Sequence, residues 1–342
     1  MQGRVDMTRR ELLGTSMLGA MGFPLASLTT SSHTSAIVDK PLRKTFSMDK
    51  QVVRFYSSEI KKPLKIMVVG DTHLGLDDER GEPFRVYSKR MAEAYQRTRQ
   101  AVTGAWTTPK DQFQESLYQA REAQVDLIAL VGDIFSFPSE AAIAWVLDQL
   151  KASGLAWLYI AGNHDWHYEG LPGSSCALRA EWTRKRLMPL YQGAMPLMAM
   201  REIYGVRFVV IDNSTYEITP EQLDFFRLQV ADKVPLVLMT HIPLYVPGRP
   251  IGFGCGHPQW GAVSDRNWQI ERRPRWPEKG HTDVTQAFHR EVFSTHQLLG
   301  LFAGHMHAQS IDVVNDIPQV VTAANATGGY VLAEFHNSGE DG

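Results

Sequence analysis

The chain has 342 residues, 44% of them hydrophobic, enough to bury one large core in one or two domains. Its formal charge of −2 gives no general attraction to polyanions, which argues against a long nucleic acid as partner. No run of roughly 18 or more apolar residues is present for an ordinary membrane span, so no permanent span is expected.

Residues 1–36 differ from the rest and stand apart from the fold. Thr8-Arg9-Arg10-Glu11-Leu12-Leu13 places paired arginines before a mildly apolar stretch, Leu12 to Leu28, broken by Gly14, Gly19, Gly22 and Pro24. This resembles a twin-arginine export signal, with a weakly helical or disordered extension as the alternative. The resemblance implies passage as a folded protein through the twin-arginine translocation machinery to a periplasmic or secreted location in a bacterium. The two cysteines, Cys176 and Cys255, lie in segments rich in glycine and serine, and both pairing and free thiols stay open.

From Lys40 to Leu64 the chain reads as an extended lead-in with an edge strand at Gln51 to Tyr56. A core strand, Lys65 to Val69, then stops at Asp71 and His73, whose spacing lets both side chains reach one cation. Leu76 to Thr108 is a charged, irregular insertion with a helix around Ser88 to Gln100, read as a solvated face in preference to a substrate lid. Phe113, Leu117 and Ala120 follow helical spacing within Asp111 to Ala123, and strand Leu127 to Val131 ends at Asp133. Ile143, Val146, Leu147 and Leu150 mark a second amphipathic helix capped by Ser139. Strand Ala156 to Ala161 presents Asn163, His164 and Asp165.

A looser stretch, Trp166 to Met195, follows; Trp166, His167 and Tyr168 read equally as pocket lining or as packing. Leu197 to Ile203 and Val206 to Ile211 form a hairpin across Tyr204-Gly205. Thr219-Pro220-Glu221-Gln222 is a capping box that opens a helix to about Ala231. Strand Val234 to Thr240 ends at His241. The segment 243–280 is dense in Gly, Pro, Trp and Arg, and its aromatics Tyr245, Phe253, Trp260, Trp268 and Trp276 favour a cap that shapes a pocket over a surface excursion. Arg272, Arg273 and Arg275 read as a solvated face rather than a second anion site. A helix over Thr285 to Thr295 leads to strand Leu299 to Ala303, which ends at His305 and His307. A hairpin, Ile311 to Val314 and Gln319 to Ala323, and a final strand, Tyr330 to Phe335, complete the pattern.

Five apolar runs thus end in metal-binding side chains, in the order D-x-H, G-D, G-N-H-D, H and G-H-x-H. Each alone is commonplace: Asp133 would pass for a turn carboxylate and His241 for a core histidine. Together, from Leu64 to His307, they resemble the calcineurin-like metallophosphoesterases. Periodicity alone gives an α/β protein with one large domain. The resemblance implies a four-layer α/β/β/α sandwich with two mixed β-sheets, in a single catalytic domain over residues 37–342 with the pocket-forming insertion at about 243–280.

It also implies two divalent or trivalent metal ions, iron, manganese, zinc or cobalt. Asp71, His73, Asp133 and His307 would hold the first, and Asp133, Asn163, His241 and His305 the second, with Asp133 as the bridge. The implied reaction is hydrolysis of a small phosphate mono- or diester by metal-bound hydroxide, with His164 stabilising charge or protonating the leaving group. Asp165 would accept a hydrogen bond from His164 and orient it. Ser136 stands where purple acid phosphatases have a tyrosine, and His73 is absent from that subfamily, which is therefore disfavoured. The alternative is a scaffold of the same fold that binds metal or partners without turnover.

Overall fold

The computed structural model describes residues 43–232, 234–261 and 280–339. The stretch read as an export signal lies outside the described residues, as do Trp268, Arg272, Arg273, Arg275 and Trp276. Strands β1 (Lys44–Asp49), β2 (Val52–Ser57) and β3 (Leu64–Val69) precede helix α1 (Arg85–Ala94) and a small hairpin, β4 (Thr98–Arg99) and β5 (Trp106–Thr107). Next come α2 (Pro109–Glu122), β6 (Leu127–Leu130), α3 (Glu140–Ser153), β7 (Trp157–Tyr159) and α4 (Ser175–Trp182). The second half runs through β8 (Met198–Ile203), β9 (Val206–Ile211), α5 (Pro220–Val230), β10 (Leu236–Met239) and α6 (Asp283–Val292). It closes with β11 (Leu298–Ala303), β12 (Ser310–Val314), β13 (Ile317–Val321) and β14 (Val331–His336).

The strands form two six-stranded sheets, ordered β1-β2-β14-β3-β6-β7 and β12-β13-β11-β10-β9-β8. Both are mixed. In the first, β3, β6 and β7 run parallel while β14 pairs antiparallel with β3; in the second, β9, β10, β11 and β13 run parallel between antiparallel edges. The inner faces pack on each other through Phe55, Ile66, Val68, Phe208, Met239, Phe302 and Phe335. Phe113, Leu117, Ile143, Val146 and Leu150 on α2 and α3 cover the outer face of the first sheet, and Leu223, Phe226, Phe288 and Val292 on α5 and α6 cover that of the second. The result is the expected four-layer sandwich with two mixed sheets.

Local chemistry sets the helix starts. Thr108 and Ser139 accept hydrogen bonds from Asp111 N–H and Ala142 N–H at the heads of α2 and α3. Both halves of the capping box expected at Thr219 and Gln222 are formed at α5. Among the described residues no helix is long and apolar enough to cross a membrane.

Three expectations need correction. The helix read over Ser88 to Gln100 is α1, which begins earlier and ends at Ala94, because the following residues enter a hairpin in which Arg97 and Arg99 both stand over the Trp106 ring, 4.3 and 4.2 Å away. The stretch read as loose after Trp166 contains α4, capped by Ser174, with Leu178 and Trp182 buried four positions apart. The strand at Val52–Ser57 is internal, covered on its outer side by β1. Neither cysteine is in a disulfide: Cys176 is exposed on α4 and Cys255 is buried.

Candidate metal centre

The loops after β3 and β6 run side by side, with Asp71 N–H donating to Gly132 O at 3.0 Å and His73 N–H to Asp133 O at 2.9 Å. The loop after β11 joins them, since His305 N–H donates to the Asp71 carboxylate at 2.8 and 3.0 Å. Such tight convergence explains the glycines of the motifs. A Cβ on Gly162 would sit 2.2 Å from Asp133 Oδ1 and 2.3 Å from its backbone nitrogen. Asp71, His73, Asp133, His305 and His307 all have positive φ, between 51° and 69°, a left-handed conformation few non-glycine residues adopt.

Two clusters result. In one, His73 Nε2 and His307 Nε2 are 2.9 Å apart, and Asp71 Oδ1 is 3.5 Å from His307 Nε2. In the other, His241 Nε2 is 3.2 Å from Asp133 Oδ2 and 3.2 Å from Asn163 Oδ1, with His305 alongside. Asp133 lies between them, its Oδ2 also 4.0 Å from His73 Nε2. Asp71, His73, Asp133, Asn163 and His241 are all buried. The structure therefore brings together the residues read from the sequence as metal ligands, with His164 also close to His73 and Asp133.

The donor chemistry fits cations. A carbonyl oxygen only accepts, so His241 Nδ1, 2.9 Å from Val131 O, carries a proton, and Nε2 is turned towards Asp133 and Asn163. Burial alone would lower the His241 pKa, but the Asp133 carboxylate outweighs it and His241 is pushed up to about 10. Burial would raise Asp133, yet His241 and His164 hold its carboxyl well below the usual range. The buried Asp133 carboxylate thus sits where positive charge is favoured, as a cation site requires. Burial, and then the charge of His164, lower His73 well below the ordinary imidazole value, which keeps it a neutral ligand.

His164 and Asp165 have unequal fates. The His164 ring reaches the rim of the clusters, 4.9 Å from the His73 ring, and its Nδ1 is 3.3 Å from Ser136 O. Asp165 does not orient it. The Asp165 carboxylate accepts from the backbone N–H groups of Gly162, Phe135 and Asp133 at 2.7, 2.9 and 3.0 Å, tying the loop after β7 to the loop after β6. Burial and then the Asp133 charge push Asp165 up to about 7, against the pull of the Gly162 and Phe135 bonds.

A cleft of about 440 Å³ opens beside the clusters. Arg90, Met91, Ala94 and Tyr95, on and just after α1, form one wall, so the insertion read as a solvated face borders the site. Arg90 and Glu169 form a two-pronged ion pair at 2.5 and 2.7 Å. Of the aromatic run after Asp165, His167 lines the cleft while Trp166 and Tyr168 are fully buried packing. From the described part of the 243–280 segment, Gly252 reaches the cleft, whereas Phe253 and Trp260 are buried. Two residues with no motif to announce them also touch the histidines: Tyr95 stacks on His73, and Tyr216 Oη is 2.7 Å from His305 Nε2.

A family model described as calcineurin-like phosphoesterase matches residues 64–309. The chain belongs to the calcineurin-like phosphoesterase family. It is accordingly a phosphate-ester hydrolase, and its His and Asp groups are the candidate sites for the divalent metals such phosphoesterases use. No curated protein matches. Among solved structures, a dimetal phosphatase from Danio rerio is 12% identical, with a TM-score of 0.49 over 79% of this chain and 91% of its own. A purple acid phosphatase from yellow lupin (Lupinus luteus) seeds is 12% identical, with a TM-score of 0.42 over 81% and 47%. A phosphopantetheinyl hydrolase from Mycobacterium tuberculosis is 11% identical, with a TM-score of 0.37 over 78% and 92%. Likeness this distant carries nothing about substrate.

Proposed function

We propose that this calcineurin-like phosphoesterase is an exported enzyme that hydrolyses small phosphate mono- or diesters at a two-metal centre. The position of Asp133 carries the reading: one buried carboxylate stands between Asp71, His73 and His307 on one side and Asn163, His241 and His305 on the other. When bound, iron, manganese, zinc or cobalt ions would supply positive charge for the phosphoryl group and an acidified water for in-line attack.

The chain's own groups do the rest. His164, on the cleft wall beside both clusters, is placed to donate a proton or hydrogen bond to the leaving oxygen; its Nδ1–H is engaged by the Ser136 carbonyl, which fixes the ring. Met91, Ala94, Tyr95 and Met306 give the cleft an apolar and aromatic side, suited to a substrate with such a group beyond the phosphate. A non-catalytic scaffold is disfavoured because every ligand position and His164 are filled. Export through the twin-arginine machinery to the periplasm or beyond rests on Arg9, Arg10 and the stretch that follows them.

The test is hydrolysis of para-nitrophenyl phosphate and bis-para-nitrophenyl phosphate by protein supplied with each metal in turn. Wild-type turnover is expected, with Asp133→Ala slower by at least about 100- to 1,000-fold. Equal rates in the two proteins would sink the proposal.

A further inference from the structure

Both histidines of the G-H-x-H segment have a tyrosine hydroxyl near the ring. Tyr95 Oη is 3.4 Å from His307 Nδ1, a loose contact, but Tyr216 Oη is 2.7 Å from His305 Nε2. His305 also offers a ring nitrogen within 4.8 Å of ligand atoms of Asp133 and His241; with Nε2 engaged by the Tyr216 hydroxyl, Nδ1 is the nitrogen open to an ion.

Tyr216 is delivered there by an uncommon backbone. Its φ is 63°, a left-handed value that is a steric outlier for a bulky side chain, and the turn is pinned by Tyr216 N–H to Asn213 O at 2.8 Å. The side chain is buried, 3% exposed, where phenylalanine would pack as well; the hydroxyl is the part that packing does not require.

The segment after His241 grips this tyrosine twice. Trp260 stacks on the Tyr216 ring at 5.1 Å and 13°, and itself stacks on His281 at 4.3 Å and 10°. The Cys255 thiol donates to the Tyr216 carbonyl at 3.1 Å. The excursion therefore bears on His305 through Tyr216, without contributing a ligand of its own from Cys255 or Trp260.

We propose that Tyr216 is the positioning residue of the second metal subsite: its hydroxyl accepts the Nε2 proton of His305 and presents Nδ1 to the ion, while Trp260 holds the phenol in register. The inference rests on the two-metal reading of the site. Tyr216 touches none of Asp71, His73 or His307 in the described contacts, so its influence falls on one ion of the pair.

Cobalt(II) uptake by the full chain, followed by visible absorption in competition with a chelator, tests this without recourse to activity. Tyr216→Phe keeps the ring and the Trp260 stack and removes one oxygen. Wild type is expected to take two ions. Tyr216→Phe should bind one of them as before and the other about 10-fold more weakly, with the absorption band of that ion shifted and the melting of metal-free protein unchanged. Two unaltered binding steps, or equal weakening of both, would overturn the proposal. A wild-type protein that takes fewer than two ions would instead overturn the two-metal reading on which it rests.

Discussion

The ring of Tyr95 lies flat on the imidazole of His73, with centroids 4.3 Å apart and planes 9° from parallel. Buried His73 has no hydrogen-bond partner at Nδ1 among the described residues, so the aromatic contact is the one placed to orient it as a carbonyl does His241. Tyr95→Ala should weaken the ion held by Asp71, His73 and His307 about 10-fold, and Tyr95→Phe should leave it near wild type. Chelator competition on the three proteins decides it. An alanine variant with unaltered affinity would show the stack to be incidental.

Asp165 is a tie between loops, and its removal should register in stability. Asp165→Ala leaves the N–H groups of Asp133, Phe135 and Gly162 without their acceptor, at about 1–3 kcal/mol each when buried. The variant is expected to lose at least about 3 kcal/mol in urea unfolding, and Asp165→Asn, which keeps one acceptor oxygen, less. A variant as stable as wild type would show that these bonds contribute nothing net to stability.

Glu217 accepts from Thr282 N–H and His281 Nδ1–H, both at 3.2 Å, and from the Thr285 hydroxyl, fastening the start of α6. Burial alone would raise its pKa, but the bonds from His281 and Thr285 prevail and hold it below the ordinary 4.5. A depressed carboxylate pKa means that the fold favours the ionised form. That contribution is complete above about pH 4.5 and is lost as the pH falls through the lower folded-state value. Glu217→Gln should be less stable than wild type at pH 7 by about 1 kcal/mol, with the gap narrowing in acid. Unfolding of both proteins across that range is the check; a constant gap would mean that the charge contributes nothing.

The parts legible in the sequence are those whose cause is local. Val68-Val69-Gly70-Asp71 announces a buried strand that ends in a candidate ligand, and Thr219 with Gln222 announces a helix start, because neighbours along the chain make the contacts. Asp165 misleads because a carboxylate next to a histidine suggests a pair, whereas two of its three partners, Asp133 and Phe135, come from another loop. The insertion at Leu76 to Thr108 shows why polarity misleads: Arg90 is paired with Glu169, far along the chain, and helical spacing cannot report that α1 borders the cleft. Tyr95 and Tyr216 had no motif, since an aromatic residue that backs a histidine has no fixed offset from it.

One feature of topology bears on the order in which the molecule comes into being. Strand β14 lies between β2 and β3, although residues 331–336 come long after the strands they separate. During synthesis β3, which carries Asp71 and His73 at its tip, can find β6 but not its other neighbour until those residues leave the ribosome. His305 and His307 also arrive late. A nascent chain that ends before residue 305 therefore lacks both β14 and two of the candidate ligands, so filling of the proposed metal sites would wait on nearly the whole polypeptide.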